Sequence, residues 1–166
     1  MNKFLLLNLF NILFFLPSSL YAGSYEVEQD LMTDKKEIMF SISSETTYKD
    51  SINQDREGLL FIRCSPEKVD LIINTFIYNG RNKEITLRWG TDEPFTERWT
   101  QDSRGIAFFN RKDPNKFISK LKENDSLTVQ WKPYQSRPQA MKFDLNDQNF
   151  KEDIKQAEKD GCNFSF

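Results

Sequence analysis

The 166-residue chain has no histidine. That absence removes Ser-His-Asp and Cys-His nucleophile systems, an imidazole proton shuttle near neutral pH and the commonest metal ligand. An enzyme made from this sequence would have to work with carboxylates, lysine or tyrosine. Cysteine is almost missing too, with only Cys64 and Cys162 present. Two thiolates without other soft ligands make no zinc site, so no metal or cofactor is expected. Neither sign of charge dominates: 23 Lys and Arg stand against 25 Asp and Glu, for a formal net charge of −2. The cations are scattered among acids with no basic stripe, which leaves no electrostatic case for nucleic acid as a partner. Internal repeats and low-complexity tracts are absent, and no apolar run reaches the roughly 18 to 20 residues that span a bilayer.

The chain opens with an export pattern. Met1-Asn2-Lys3 carries one charge, Phe4 to Leu16 is largely apolar, and Pro17-Ser18-Ser19-Leu20-Tyr21-Ala22 supplies a cleavage region. These features predict a signal peptide over 1–22, cut after Ala22. A membrane anchor is disfavoured by the short run and by Pro17 closing it, and no cysteine stands near the cut to take a lipid. The product would be a single periplasmic or secreted domain, 23–166, with no stable membrane insertion. Such a length buries about two thirds of its unfolded surface. Two cysteines in an exported chain predict one disulfide, Cys64–Cys162. Closing a loop of about 100 residues would constrain the unfolded chain by roughly 4 to 5 kcal/mol in the chain-entropy account.

Periodicity describes a mainly β domain. Alternation predicts strands at Gly23 to Asp30, Glu37 to Ser43, Leu59 to Cys64, Val69 to Tyr78 and Glu84 to Trp89, joined as an antiparallel meander. Leu59 to Cys64 is apolar on both faces and reads as the central strand. Ser44 to Gly58 is polar and reads as a long surface loop held only by Tyr48 and Ile52. Two further strands, Phe95 to Thr100 and Gly105 to Asn110, flank a turn at Gln101-Asp102-Ser103-Arg104. Asp113-Pro114 then sets an N-cap before a proline at the first helical position, with Phe117, Ile118 and Leu121 at helical spacing. Strands follow at Leu127 to Trp131 and Ala140 to Leu145. A last helix, about Asp147 to Asp160, with Asn146 or Asp147 able to cap its start, carries one apolar stripe of Phe150, Ile154 and Ala157 and ends at Gly161. The fold class is an antiparallel sheet or sandwich-like domain, with one short internal helix and a C-terminal helix pinned by the disulfide.

Candidate sites are few. Glu93, Glu97 and Asp102 lie near Trp89 and Trp99, a layout that a carboxylate-dependent hydrolase would use. Abundant acids collecting in a loop explain it as well. Asp144 and Asp147 near Asn146 lack the ligand series of a calcium loop. Arg88-Trp89 and Arg98-Trp99 repeat one pairing. Inward tryptophans would leave Arg88 and Arg98 in solvent, where these arginines and Trp99 are candidate partner-binding residues; the plainer alternative is two core tryptophans and two solvated arginines.

The order of features resembles the TagO/VasI family of exported proteins associated with bacterial type VI secretion. The residues that carry the resemblance are Met32-Thr33-Asp34, Leu60-Phe61-Ile62-Arg63-Cys64, Arg98-Trp99 and Phe108-Phe109. Lys132-Pro133-Tyr134, Phe143-Asp144-Leu145 and Cys162 after the final helix continue it, over nearly the whole predicted mature chain. Tyr25 stands where the family tends to have tryptophan, and Asn146-Asp147 replaces its usual glycine. The resemblance implies a periplasmic β domain, not an enzyme, accessory to an envelope machine and bound to a protein partner in the cell envelope. Cys64 and Cys162 match the family's cysteine pair. Asp34, Arg63 and Tyr134 match recurrent polar positions without an assigned role. A periplasmic inhibitor of lysozyme-like enzymes is the alternative function.

Overall fold

The computed structural model describes residues 25–164 except 51 and 66. The predicted signal peptide therefore lies outside the described residues. In chain order, β1 (Tyr25–Gln29) and β2 (Lys36–Ser43) form the expected hairpin. Next come β3 (Tyr48–Lys49), β4 (Asp55–Arg56), β5 (Leu59–Ser65) and β6 (Lys68–Asn74). The chain continues through β7 (Glu84–Trp89), β8 (Phe95–Arg98), β9 (Thr100–Gln101) and β10 (Ala107–Asn110). It ends with α1 (Pro114–Glu123), β11 (Ser126–Trp131), β12 (Gln139–Asp144) and α2 (Gln148–Lys159).

Two antiparallel sheets share one core, in strand orders β1-β2-β5-β6-β10-β9 and β12-β11-β7-β8. β5 is central, as its two apolar faces predict: Leu60, Ile62 and Cys64 point into the core, while Leu59 and Phe61 are half-buried on the outer face. The expected meander stops at β6. Phe76, held at φ 51°, turns the chain away after Asn74, and β7 joins the second sheet instead. The strand expected over 95–100 is likewise two strands. β8 belongs to the four-stranded sheet and β9 to the six-stranded one, with Trp99 at the crossing. Alternation fixes which residues share a face, but not which strand lies alongside.

The expected loop 44–58 contains the small hairpin β3–β4. Its base is closed by Ser44, whose backbone N–H donates to the Gly58 carbonyl at 2.9 Å and whose hydroxyl accepts the Gly58 N–H at 3.0 Å. Tyr48 is buried between the sheets, edge-on to Trp131 at 4.9 Å, and its hydroxyl donates to the Thr75 carbonyl. Ile52 plays no such part, being 68% exposed. Gly58 lies so close to Met141 that an added Cβ would fall 2.0 Å from the sulfur.

Both helices start where their caps predict. The Asp113 carboxylate accepts the Lys116 N–H at 3.1 Å, with Pro114 opening α1, and Asp147 accepts the Phe150 N–H at 2.9 Å. The end of α2 explains the position of the disulfide. Gly161 adopts φ 111°, its N–H returns to the Glu158 carbonyl at 3.4 Å, and the Cys162 N–H returns to Ala157 at 2.9 Å. This Schellman turn folds Cys162 back toward the sheet, where its Cα is 5.8 Å from that of Cys64. α2 buries only Phe150, Ile154 and Ala157, with Phe150 against Phe40 at 6.1 Å. A stripe of that size contributes a few kcal/mol, and a short helix is marginal alone. The disulfide holds it to the central strand.

Candidate partner-binding groove

Around the crossing at Trp99, the end of β7, strand β8, the end of β10 and the start of α1 enclose a groove. Trp89 continues the inward series Ile85, Leu87, and Phe117 on the first turn of α1 packs against it at 4.7 Å. The Trp99 ring meets Phe117 edge-on at 5.3 Å. Trp99 is fixed at both of its nitrogens: its backbone N–H donates to the Lys83 carbonyl at 2.9 Å, and its indole N–H donates to Glu97 Oε2 at 2.7 Å.

The groove has two lobes that share Glu97, Asn110 and Lys112. One, of about 390 Å³, is lined by Trp89, Phe95 and Phe117, with Lys112, Lys116 and Lys120 along its rim. The other, of about 580 Å³, runs beside residues 96–100 and reaches Arg98, Phe109 and Arg111. Arg111 stacks over the Phe109 ring at 5.6 Å. Among the described residues no ion pair engages Arg98, Arg111, Lys112 or Lys116. Three acids share the lining with these cations and Lys120: Glu97 is occupied by the Trp99 indole and Asp113 by the Lys116 amide, while Asp92 lines the smaller lobe. The result is a rim with cations to spare over an aromatic floor, in a chain whose net charge is negative.

The residues singled out in the sequence fall in different places. Arg98 lines the groove. Trp99 is 4% exposed, so it supports the groove wall from within. Arg88 is exposed on the outer face of the four-stranded sheet, opposite Thr128, while Arg98 stands opposite Glu84, four positions along β7. The two arginines are thus roughly 13 Å apart along the strand direction and do not act as a pair. Of the three acids near the tryptophans only Glu97 enters the groove. Asp102 organises the turn after β9, accepting the Ile106 and Ala107 amides at 2.8 and 3.1 Å and the Arg104 guanidinium at 3.2 Å. Burial pushes its carboxyl up, but those donors outweigh burial and hold it below the usual carboxylate range. A carboxylate held in that way is no general acid at neutral pH.

Asp34, Arg63 and Tyr134 do not converge. Asp34 sits at φ 55° in the β1–β2 turn. Arg63 pairs across strands with Asp70 at 2.7 Å and with Glu37 at 3.2 Å. Burial pushes Asp70 up, yet Lys68 and Arg63 together keep it below the usual range. Tyr134 is exposed at the far end of the sandwich, its ring 5.6 Å from Tyr78. Among the described residues no cluster of three or more His, Cys, Asp or Glu is placed to hold a metal ion, and no helix is long and apolar enough to cross a membrane.

Sequence reasoning missed Phe95, Phe117 and the lysines of the rim as site residues. Lys116 and Lys120, four apart on a helix, were the available signal. Only the crossover that lays α1 beside β8 gives them a common groove. Compared with models of known families, with curated proteins and with solved structures, the chain matches none.

Proposed function

We propose that the chain is an exported, non-catalytic binding module of the bacterial cell envelope, accessory to type VI secretion or related envelope machinery. The observation that supports it is the groove beside β8, where cations without ion-pair partners among the described residues stand over aromatic rings. Such a surface binds a protein partner through charge and apolar contact together. A small sheet domain stapled by a disulfide suits an oxidising compartment, and the export signal and the TagO/VasI resemblance supply the compartment and the machine.

The test is affinity capture from cell envelopes with the oxidised protein as bait. Recovery of secretion-machinery components supports the proposal, and recovery of no envelope protein overturns it. On the same reading, micromolar protein leaves lysozyme activity unchanged; inhibition would instead establish the lysozyme-inhibitor function.

A further inference from the structure

The way β8 is paired says how a partner would bind. The Trp99 N–H donates to the Lys83 carbonyl, and the β7–β8 register continues that pairing through Glu84↔Arg98, Ile85↔Glu97, Thr86↔Thr96 and Leu87↔Phe95. Antiparallel ladders alternate hydrogen-bonded and non-hydrogen-bonded pairs. Residues 95, 97 and 99 therefore direct their backbone groups to β7, and Thr96 and Arg98 direct theirs away from it. The Thr86 and Thr96 hydroxyls, 2.9 Å apart, show the close side-chain approach of a non-hydrogen-bonded pair. β8 has no strand neighbour but β7, and among the described residues no hydrogen bond outside that ladder uses the backbone N–H or C=O of Thr96 or Arg98. Thr96 and Arg98 both line the larger lobe of the groove, and Phe95 and Glu97 line the smaller one.

We propose that β8 is a docking edge, and that an acidic, extended segment of a partner protein adds to the four-stranded sheet there as a fifth strand. The inference rests on the binding-module reading. The segment's backbone bonds to Thr96 and Arg98, its carboxylates meet Arg98, Lys112 and Lys116, and an apolar side chain rests on Phe95, which is 39% exposed. Strand addition of this kind takes affinity from backbone hydrogen bonds and selectivity from the flanking side chains. Charge complementarity selects the occupant. A second copy of the chain pairing edge to edge would bring the same cationic rim against itself, whereas an acidic strand relieves it.

The probe is an acetylated, amidated peptide alternating glutamate with valine, with the lysine-valine peptide as control. Binding is followed by the change in tryptophan fluorescence, to which Trp89 and Trp99 at the groove contribute over a background from Trp131, and backbone protection by hydrogen exchange. The glutamate peptide binds saturably, more weakly as salt is raised, slows exchange at the Thr96 and Arg98 amides, and leaves the protein monomeric. Thr96→Pro removes the outward N–H, a change that edge strands tolerate, along with the hydroxyl that meets Thr86, and weakens binding about ten-fold, whereas Thr96→Val, which loses the hydroxyl alone, keeps the affinity. Lys112→Glu with Lys116→Glu abolishes preference for the acidic peptide, while thermal melting of each variant confirms the fold. Binding without protection at Thr96 and Arg98 overturns the proposal, as does a concentration-dependent dimer that protects them without peptide. Envelope capture separates the two readings: a partner recovered equally by the natural chain and by Thr96→Pro overturns the docking edge alone, and no partner at all overturns the binding module.

Discussion

The two edges of the four-stranded sheet differ in what covers them. At β12 the Lys142 N–H donates to the Thr46 hydroxyl at 2.9 Å, the Lys142 carbonyl accepts the Glu45 N–H at 2.7 Å, and the two side chains form an ion pair at 3.1 Å. At β8 the outward groups of Thr96 and Arg98 have no protein partner among the described residues. Exposed edges invite pairing with other chains, and folded proteins commonly cover or charge them. Covering one edge with a dedicated segment while leaving the other beside a cationic groove makes the open edge the one suited to a partner.

The largest expected effect comes from breaking the groove's wall. Phe117 is buried against both Trp89 and Trp99, and Phe117→Ala should lower stability by about 3 to 5 kcal/mol, read by denaturant unfolding, and shift the tryptophan emission toward that of exposed indole. A smaller change comes with acid. The folded Asp102 carboxyl lies below its unfolded value, so its contribution to stability is full above about pH 4 and is lost as pH falls through the lowered folded value. Asp102→Asn should therefore flatten part of the acid-side loss of stability in melts taken below pH 4, and it should leave the melts at neutral pH as the place where the variant is less stable. Uncovering the protected edge should cost less. Thr46→Ala removes the partner of the Lys142 amide, for about 1 kcal/mol, and should speed hydrogen exchange at Lys142. The smallest effect distinguishes the two arginines: Arg88→Glu, on the outer face, should leave acidic-peptide affinity within about two-fold and stability within about 0.5 kcal/mol, whereas Arg98→Glu should weaken binding.

Much of the frame is written locally. The Asp113-Pro114 and Asp147 caps, the alternation of Ile85, Leu87 and Trp89, and Gly161 before Cys162 each name a structure within a few residues, and each has its expected form. The Cys64–Cys162 bond was legible because no other pairing exists. What was not legible is where the chain changes sheet, at Phe76 and again at Trp99, since both changes depend on which strands pack together. Thr46 looked like one more polar loop residue, and its edge-covering role exists only because β12 arrives almost a hundred residues later. The groove has the same character. Glu97, Arg98 and Trp99 were visible as a local group, but Lys112 and Lys116 join them only through the path of the chain from β10 into α1.

Amide hydrogen exchange on the free, oxidised monomer tests the unequal edges most directly. The Lys142 amide should be protected, and the Thr96 and Arg98 amides should exchange at nearly the rate of an unstructured chain, while Glu97 between them is slowed by its bond to β7. Protection of Thr96 and Arg98 equal to that of Glu97 and Lys142 would contradict the account, because it would mean that the β8 edge is already paired.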